Sequence, residues 1–591
     1  MIDTISQIFL NTIKTYIKDD LLAAKAEGRY VPISTDEFAR RVKNLSLGLA
    51  DIGLTPGEKL IIFSENRPEW TITDFAVLCA GGITVPIYTS LMPEQVKYII
   101  NDSDARIVVC SNRDLWLKVD AVRSDLRNVH HFVLIDEEGP QGVLSLSEIM
   151  ARGKTIAASN PGLFEKRALA VKPSDVASII YTSGTTGVPK GVMLTHGNFV
   201  SNSKALDAVT EFAAKDVILS FLPLSHVLER MTTFSWIYKG ASIYYAESIE
   251  TVGENLLEVR PTIMISVPRL FDKIYAKVMD NILAQSALKR KIFFWAIRVG
   301  KKYGARKIRH RPIPWGLGLQ KKIAAKLVYS KIIEKTGGRA HFFVSGGAPL
   351  SADVAEFFYA IGLTILEGYG LTETSPVLAC NTFDKMKFGT VGPPVPGVEI
   401  KIAPDGEVLA KGPNVMKGYY KKEQETREAF EDGWLKTGDI GHIDEEGFLV
   451  ITDRKKDILV TAGGKNVAPQ PIENLLKANP YIGTAVVVGG GRKFISALIV
   501  PNFDKLEAYA RSKGIPFASR KELVERDEIA SFMLAEVNRT TPDLASYERI
   551  KKIVLLERDF DADTELTPSL KVKRHIVEKV FKPLIDLLYK D

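Results

Sequence analysis

The chain of 591 residues is too long for one small domain, and its 46% apolar and 25% charged residues are ordinary for a globular protein. Three cysteines, Cys79, Cys110 and Cys380, exclude a disulfide framework and a cysteine-rich metal site, which favours a reducing compartment. The net charge of +7 is uneven, because residues 289–339 hold sixteen Lys and Arg against one acid, Glu334. This distribution predicts a basic patch and excludes a generally basic protein.

The N-terminal segment predicts an amphipathic helix whose apolar face holds Ile5, Phe9, Ile13 and Ile17. It lacks the basic region and the continuous apolar stretch of a signal peptide. Further on, residues 75–88, FAVLCAGGITVPIY, are too short for a membrane span. They predict a buried helix, a turn and a strand.

Apolar runs then alternate with helical patterns, which predicts α/β layers with sites at the ends of strands. The predicted strands lie at 59–66, 106–110, 131–136, 177–184, 341–347 and 363–370. After about residue 380 the chain becomes rich in Gly and Pro with short alternating strands, which predicts a β-rich subdomain. A new set of helices and strands follows, and we expect the domain boundary at 453–456.

Residues 181–191, YTSGTTGVPKG, are suited to hold phosphate. The glycines let the backbone approach an anion, the hydroxyl groups add donors, and Lys190 adds positive charge. The loop residues concerned are Ser183, Gly184, Thr185, Thr186 and Gly187. The spacing of the common P-loop is absent. Taken alone, the loop is equally explained as a Gly- and Thr-rich surface turn.

Two further strings carry groups that suit a nucleotide. In EGYGLTETSP, residues 367–376, Tyr369 offers a face for stacking a base and Thr372 can donate to phosphate. Glu373 is a hard oxygen ligand suited to Mg²⁺. In VSGGAPL, residues 344–350, a turn of small residues leaves room for a planar ring against the backbone.

Nearer the C-terminus, WLKTGDIG places Asp439 in a tight turn, where its carboxylate can hold two ribose hydroxyls. DRKKDILVTAGGKNVAP, residues 453–469, offers Arg454 to ribose or phosphate and continues into a turn at Gly463 and Gly464.

Together these motifs resemble the adenylate-forming superfamily of acyl-CoA synthetases, luciferases and nonribosomal peptide adenylation domains. The resemblance runs from SENRPEW, residues 64–70, to LTPSLKVKR, residues 566–574, and five motifs follow the order of the family. LPLSHVLER (222–230), RPTIMISVPRLFDKIY (260–275), VSGGAPLS and DRKKDILVTAGGKNVAP look like the long-chain fatty acyl-CoA synthetase branch.

The resemblance implies the adenylate-forming enzyme fold, of the α/β class. A large N-terminal domain, 1–453, would combine layered α/β subdomains with a β-rich part at about 380–453. A small mobile α+β domain, 454–591, would rotate about the hinge at 453–456. The implied reaction activates a fatty acid with ATP to acyl-AMP, releases pyrophosphate, and transfers the acyl group to CoA. Mg²⁺ would assist.

The resemblance also implies roles for individual residues. The catalytic residues would be Lys190, Thr372, Glu373 and Lys571, with Thr182 and Glu373 as ligands of Mg²⁺. The nucleotide would contact Thr182, Ser183, Gly184, Thr185, Thr186, Gly187, Gly346, Gly347, Ala348, Glu367, Gly368, Tyr369, Gly370, Thr372, Asp439, Arg454 and Lys456. The acyl and CoA side would contain His226, Gly463, Gly464 and Lys465.

Several assignments keep an alternative. Lys571 is expected to act in the first half-reaction, but Leu570 precedes it where many relatives have Gly, so Lys573 remains a rival. His226 either borders the acyl pocket or is structural. Glu229 and Arg230 are expected to form a local ion pair if they have no functional role.

The basic segment 288–315 places Phe293, Phe294 and Trp295 between clusters of Lys and Arg. This pattern favours contact with an anionic membrane, and a buried aromatic anchor on a solvated basic helix is an equal alternative. No recognition motif accompanies the charge, so we expect no nucleic acid. A cytoplasmic protein at the inner membrane surface is expected, and a dimer is compatible with the resemblance.

Two other functions stay open at the level of sequence. The enzyme could load a carrier-protein thiol, although no phosphopantetheine carrier site follows. Alternatively, a lipid-binding protein could keep a degenerate ATP site. The intact Lys190, Glu373, Asp439, Arg454 and Lys571 argue against degeneracy.

Overall fold

A computed structural model describes residues 2–136, 139–182, 188–477, 479–561, 564–566 and 572–590. The chain divides into two compact units. The first comprises Met1–Lys401, Leu409–Thr437 and Glu445–Leu449, and the second comprises Ile402–Val408, Gly438–Asp444 and Val450–Asp591. The predicted boundary at 453–456 lies inside the second unit and stays a prediction.

The strands of the described residues follow in chain order. They are β1 (Leu22–Ala26), β2 (Arg29–Ile33), β3 (Lys59–Phe63), β4 (Ile83–Ile87), β5 (Ile107–Cys110), β6 (His131–Leu134), β7 (Val143–Ser145), β8 (Val176–Thr182), β9 (Lys190–Thr195), β10 (Val217–Ser220), β11 (Ser242–Tyr245), β12 (Ile263–Ser266), β13 (Phe342–Ser345), β14 (Thr364–Gly370), β15 (Val377–Cys380), β16 (Glu399–Ile402), β17 (Glu407–Lys411), β18 (Gly418–Tyr419), β19 (Phe430–Glu431), β20 (Trp434–Ile443), β21 (Leu449–Arg454), β22 (Leu459–Val460), β23 (Asn466–Val467), β24 (Ile482–Val488), β25 (Ser496–Pro501) and β26 (Ile553–Leu555).

The α-helices are α1 (Ile5–Thr15), α2 (Thr35–Asp51), α3 (Pro68–Cys79), α4 (Pro93–Ser103), α5 (Arg113–Asp120), α6 (Leu146–Ser159), α7 (Leu163–Ala170), α8 (His196–Val209), α9 (Val227–Tyr238), α10 (Val252–Val259), α11 (Pro268–Leu283), α12 (Ala287–Ile308), α13 (Trp315–Ala324), α14 (Ser330–Glu334), α15 (Ala352–Ile361), α16 (Glu423–Ala429), α17 (Pro469–Lys477), α18 (Phe503–Ser512), α19 (Arg520–Val524), α20 (Asp527–Thr540), α21 (Arg574–Val580) and α22 (Lys582–Leu588). A π-helical segment, Ala325–Tyr329, joins α13 to α14, and Thr372–Thr374 forms a 3₁₀ turn.

Two eight-stranded sheets build the first unit. One has the order β18-β9-β8-β4-β3-β5-β6-β7 and the other β15-β14-β13-β12-β10-β11-β1-β2. The central strands of both run parallel, and the antiparallel pairs lie towards the edges. Parallel strands are covered on both faces, which explains why β5 and β12 are buried throughout and, apart from Ser266, apolar.

A single hydrophobic cluster joins the two sheets of this unit. It contains Ile62 of β3, Ile265 of β12 and residues of α3 and α9. Where these helices meet, the rings of Phe75 and Phe234 cross edge to face with centroids 5.5 Å apart. The shared core therefore gives α9 a fixed position against both sheets, and α9 carries the predicted His226 at its N-terminus.

The predicted architecture is confirmed. Each predicted apolar strand overlaps a strand of the structure, and residues 75–88 form the end of α3, a turn and β4. The β-rich part contains a five-stranded sheet of β16, β17, β19, β20 and β21. The second unit also holds the sheet β24-β25-β26, packed with α17, α18 and α20 around a separate core.

One local expectation needs correction, and the structure distinguishes the three aromatic rings of the basic segment. The N-terminal helix ends at Thr15, so Ile17 lies beyond it and is 72% exposed instead of completing the apolar face. In the basic segment, Phe293 is buried, Trp295 is partly buried in the same core, and Phe294 is the exposed member of the trio. Two of the three aromatic rings therefore serve as anchors of α12.

Candidate functional site

The predicted phosphate loop connects the two strands of one hairpin. Thr182 ends β8 and pairs with Lys190, the first residue of antiparallel β9. The hydroxyl of Tyr98 donates to the carbonyl of Pro189 at 3.1 Å and ties the incoming end of β9 to α4. The loop residues themselves, Ser183, Gly184, Thr185, Thr186 and Gly187, lie outside the described residues, so their contribution stays a prediction.

Tyr419 brings two predicted catalytic residues together. Its hydroxyl donates to Oε1 of Glu373 at 2.9 Å, and Nζ of Lys190 lies 5.3 Å from the centroid of its ring. Burial and the neighbouring carboxylate raise the pKa of the Tyr419 phenol, so it remains a hydrogen-bond donor at neutral pH. A cation and a carboxylate from two distant motifs are thus linked at the base of the phosphate loop.

The sequence motifs did not point to Tyr419. It lies in the two-residue strand β18, which pairs with β9 so that Tyr419 is opposite Val192. The only available signal was its place in the string MKGYY shortly after the β-rich turn residues. Its role depends on sheet pairing between distant segments, which a local motif does not encode.

Two hydrogen bonds to backbone carbonyl groups hold the segment that carries Glu373. The amide of Met416 donates to the carbonyl of Glu373 at 2.8 Å, and the side-chain amide of Asn414 donates to the carbonyl of Thr374 at 2.8 Å. Gly370 lies just before the 3₁₀ turn. A Cβ atom added to Gly370 would lie 1.8 Å from the carbonyl oxygen of Pro376. Glycine is therefore required there, and the turn presents Thr372 and Glu373 at the end of β14.

The turn of small residues lies at the end of the neighbouring strand. β13 and β14 run parallel with Ser345 opposite Glu367, so Gly346, Gly347 and Ala348 follow β13 beside the start of the EGYG string. Gly347 has a φ of +78°, and it and Ala348 are exposed. Parallel strands place both loops at the same edge of the sheet, as the binding rule for such sheets requires.

Glu367 itself is buried beneath this edge. Its carboxyl group accepts hydrogen bonds from the backbone amides of Leu350 and Gly389, while desolvation raises its pKa to about 8. The sequence placed Glu367 among the nucleotide contacts. The structure shows it supporting the turns that surround the expected nucleotide. Gly368 and Tyr369, which follow it, are half-buried.

His226 caps helix α9. Its Nδ1 accepts the backbone amide of Leu228 at 3.2 Å, and the side chain is half-buried. A Cβ added at Gly346 would lie 3.0 Å from Cδ2 of Leu228. The N-terminus of α9 is therefore packed against the small-residue turn, so the acyl-side residue and the predicted nucleotide turn are neighbours.

The expected ion pair between Glu229 and Arg230 is wrong. The guanidinium of Arg230 instead forms two hydrogen bonds with the carboxylate of Asp74, at 2.8 and 2.6 Å, and one with the hydroxyl of Ser178. Asp74 lies on α3 and Ser178 on β8. Successive helical residues point about 100° apart, so Arg230 reaches a different neighbour from Glu229.

Glu229 is a buried carboxyl group that the sequence did not single out for function. It is 2% exposed and shares a hydrogen bond with Ser220. Its Oε2 has no hydrogen-bond partner within the described part of the chain. Desolvation raises its pKa to about 8, so the group is mainly protonated at neutral pH.

We expect Glu229→Gln to change how stability depends on pH. The folded protein keeps a proton on Glu229 that the unfolded chain releases above its ordinary pKa of 4.5. The free energy of unfolding of the wild type therefore falls as pH rises from 4.5 to about 8, and then levels off. Glutamine removes this contribution of up to about 1.4 kcal/mol per pH unit.

The measurement is the apparent unfolding midpoint of both proteins between pH 5 and 9. The unfolding midpoint of Glu229→Gln, relative to that of the wild type, should rise with pH. Glu423→Gln, at an exposed carboxylate, serves as the control for losing one negative charge. A difference between Glu229→Gln and wild type that is constant across the range would show that Glu229 is ionised in the folded protein.

In the second unit, two predicted ribose ligands contact each other. Nε of Arg454 lies 2.8 Å from Oδ1 of Asp439, which is buried, while Arg454 is exposed. Lys456, the third predicted residue here, is exposed. Its neighbour Lys455 forms ion pairs with Asp405 and Glu407, so the charge at this junction is largely compensated.

The predicted turn for the thiol side is an exposed hairpin. It joins β22 to β23, and Thr461 and Lys465 close it through a backbone hydrogen bond of 2.9 Å. Gly464 has a φ of +72°, a conformation that favours glycine. Gly463 and Lys465 are exposed beside it.

Lys571 lies outside the described residues. Of the described residues on either side of this gap, Leu566 and Val572 form an antiparallel bridge. The rival Lys573 uses its backbone amide to bond Glu565 at 2.8 Å and its ammonium to bond the carbonyl of Thr564 at 3.3 Å. Lys573 therefore ties the start of α21 to residues 564–566.

Within the described ranges, no group of three or more His, Cys, Asp or Glu side chains is placed to hold a metal ion. The predicted site offers Mg²⁺ one carboxylate, Glu373, and one hydroxyl, Thr182. Such a sparse set fits Mg²⁺, which keeps several waters and is commonly bound through substrate phosphates.

Comparison with known proteins assigns the chain to a family. The AMP-binding enzyme family matches residues 15–420, and the C-terminal domain of AMP-binding enzymes matches residues 456–591. The chain belongs to the AMP-binding enzyme family.

Relatives of this AMP-binding enzyme span nearly its whole length. It is 39% identical over 569 residues to the long-chain-fatty-acid–CoA ligase FadD15 of Mycobacterium bovis, with 95% of this chain and 93% of the relative covered. It is 30% identical to the peroxisomal long chain acyl-CoA synthetase 7 of Arabidopsis thaliana, with 100% and 86% covered. ATP-bound MatB from Rhodopseudomonas palustris, 24% identical, superposes with a TM-score of 0.71 over 99% and 100% of the two chains and shows the shared fold.

Proposed function

We propose that this AMP-binding enzyme is an AMP-forming long-chain fatty acid–CoA ligase. The observation that carries the proposal is the cluster of Lys190, Tyr419 and Glu373 at the base of the phosphate loop. The near full-length relation to a long-chain-fatty-acid–CoA ligase supports the choice of substrates. These substrates are a fatty acid, ATP and CoA.

In the first half-reaction, a carboxylate oxygen of the fatty acid attacks the α-phosphorus of ATP. The bond from that phosphorus to the bridging oxygen breaks, and pyrophosphate leaves with the electron pair. No side-chain nucleophile is needed, so the protein contributes position and charge. Lys190, Thr372 and the hydroxyl groups of Thr185 and Thr186 hold the phosphates, and Lys571 neutralises charge at the reacting centre.

Thr182 and Glu373 would hold Mg²⁺, which neutralises the charge of the phosphates when it is bound. Tyr419 contributes by fixing one carboxylate oxygen of Glu373. Nζ of Lys190 lies 5.3 Å from the centroid of the same ring, which keeps its charge near that carboxylate.

The nucleoside contacts complete this site. Tyr369 stacks on the adenine, and the backbone of Gly346, Gly347 and Ala348 lies against the ring. Gly368 and Gly370 leave space for it. Asp439 binds the ribose hydroxyls, with Arg454 and Lys456 as cationic neighbours. The ion pair between Arg454 and Asp439 supports this role, because it orients the carboxylate.

In the second half-reaction, the sulfur of CoA attacks the carbonyl carbon of acyl-AMP, and AMP leaves. We propose that the C-terminal domain, 454–591, rotates about 453–456 between the half-reactions and brings Gly463, Gly464 and Lys465 to the thiol. The match of the C-terminal family from residue 456 supports this boundary. His226 shapes the acyl side, since it caps α9 beside the small-residue turn.

A peripheral contact with an anionic membrane through the basic segment 288–315 is also part of the proposal, with the protein in the cytoplasm at the inner membrane surface. Its support is the excess of cationic residues there. Among the described helices, none has the length and apolar character needed to cross a bilayer.

The test is product formation by purified protein with ATP, Mg²⁺ and fatty acids of increasing length, each with and without CoA. We expect AMP and acyl-CoA only when CoA is present, with the highest kcat/KM on long chains. Acyl-AMP that accumulates without any CoA product would instead indicate a carrier-loading enzyme. A protein that binds fatty acid but consumes no ATP would indicate a degenerate site.

Glu373→Gln tests the proposed role of the Glu373 carboxylate. It keeps the shape of the side chain but removes the charge that faces Mg²⁺ and Lys190. We expect acyl-AMP formation to fall about 100- to 1000-fold, as for the loss of one charge-stabilising group. Glu431→Gln, at an exposed position on β19, should retain wild-type activity. Equal activity of both variants would remove Glu373 from the site.

A further inference from the structure

Helix α13 and the π-helical segment after it expose a row of apolar side chains. Trp315 is 85% exposed, and Leu319, Ile323 and Leu327 are between 45% and 51% exposed. Residues four apart lie on the same side of a helix, so the four form one outward row. Single exposed apolar residues are ordinary, but an aligned row that includes a tryptophan indicates an interaction surface.

The opposite side of the same segment is already used inside the chain. Ala324 and Val328 are buried, and Leu317 packs partly into the same core. Nζ of Lys321 lies 3.8 Å from the centroid of the Tyr303 ring, which joins α13 to α12. The segment is thus apolar on both sides. An apolar helix face is normally covered, so the outward row calls for a partner outside the chain.

The charge around the row defines the chemistry of that partner. Lys322 and Lys326 are exposed and lie three residues after Leu319 and Ile323, so they border the row on one side. The surrounding residues 289–339 carry sixteen Lys and Arg against one acid. A partner must therefore offer apolar depth and negative charge together, which is the composition of an anionic bilayer surface.

A second copy of the chain fits less well. Pairing of two such rows would bring two strongly cationic surfaces face to face, which is unfavourable. Tryptophan, in contrast, is favoured at the interface between lipid headgroups and acyl chains. The basic side chains can extend from this depth to the phosphate groups of the lipids.

We propose that Trp315, Leu319, Ile323 and Leu327 insert into the headgroup layer of an anionic membrane, with Lys322 and Lys326 on the lipid phosphates. This inference rests on the proposed peripheral contact and moves its apolar part from Phe293 and Trp295 to the row on α13. The enzyme then meets fatty acids where they are concentrated, in the membrane.

The experiment is cosedimentation of the full-length protein with vesicles of phosphatidylcholine alone or mixed with phosphatidylglycerol. The test variant is Trp315→Ser/Leu319→Ser/Ile323→Ser, and the control is Leu117→Ser/Leu169→Ser, which removes two similarly exposed leucines on α5 and α7. We expect wild type and control to bind mixed vesicles at least about 10-fold more tightly than neutral ones, by charge attraction. The triple variant should lose at least about 10-fold in binding to mixed vesicles.

Two results would overturn the inference. One is a triple variant that binds mixed vesicles like the control. The other is a wild-type protein that ignores vesicles but forms a dimer that the triple variant abolishes, which would assign the row to a second copy. Unfolding midpoints equal to wild type show that the variants are folded.

Ligase activity is scored separately, with a short water-soluble fatty acid and no vesicles. The triple variant should match wild type in this assay, because none of the three residues is among the predicted site residues. If wild type makes no acyl-CoA with any acid, the proposed function fails, and the vesicle result still decides the inference about the membrane.

Discussion

Lys571→Ala is expected to reduce acyl-AMP formation about 100- to 1000-fold, the range found when one charge-stabilising group is removed from a reacting centre. Transfer of the acyl group from supplied acyl-AMP to CoA should continue at close to the wild-type rate. The reason is that attack at the α-phosphorus and departure of pyrophosphate, where we expect Lys571 to act, take place only in the first half-reaction. The measurement is pyrophosphate release from ATP and a long-chain fatty acid, beside thioester formation from synthetic acyl-AMP and CoA.

Lys573→Ala is the matched control. Lys573 lies two residues after Lys571 in the sequence, and its ammonium group donates to the carbonyl of Thr564. We expect it to keep both half-reactions, with at most a small loss of stability. Equal loss of the two half-reactions in Lys571→Ala would assign Lys571 a structural role. Loss of adenylation in Lys573→Ala alone would move the catalytic role to Lys573.

Arg230→Met is expected to give the largest loss of stability. It leaves the carboxylate of Asp74 buried without its partner, and breaking a buried ion pair in this way costs about 3–5 kcal/mol. Both side chains are almost fully buried, and the pair joins α9 to α3 and β8. The measurement is the urea midpoint of unfolding at pH 7, with the change in midpoint converted through the slope of the transition.

The double variant Asp74→Leu/Arg230→Met tests whether the unpaired buried carboxylate causes the loss of stability. It removes both charges, so it should recover part of the stability that Arg230→Met loses. Arg40→Met is the surface control, because its ion pair with Glu37 is exposed and such pairs contribute about 0–1 kcal/mol. If Arg230→Met costs no more than Arg40→Met, the buried pair does not hold α9 in place.

The position of α9 matters to the site as well as to stability. Arg230 lies one turn after His226, and Leu228 between them packs against Gly346. Loosening α9 should therefore raise the KM for the fatty acid before it affects ATP.

Much of the fold was predictable because its signals are local. An apolar run such as residues 106–110 predicts a buried strand wherever it occurs, and β5 is found there. The second glycine of the EGYG string is Gly370. The backbone of nearby residues leaves no room for a side chain there, so glycine is required. Lys190 and Glu373 were predicted as site residues from their motifs, and the structure brings both to Tyr419.

Pairing between distant segments was not predictable in the same way. Tyr419 reaches Glu373 only because β18 pairs with β9. Arg230 has Glu229 as its neighbour in sequence, yet it bonds Asp74 on another helix. A local pattern fixes which residues can form ion pairs, whereas the packing of helices decides which of them meet.

The sequence by itself determined the class of fold, the order of the motifs and the chemical groups available for adenylation. Only the tertiary structure decided which of those groups are brought together and which aromatic rings are buried. Phe293 and Trp315 lie in equally basic surroundings, but one is in the core and the other is 85% exposed. Burial depends on what packs against a residue, and those partners come from parts of the chain that no local pattern reveals.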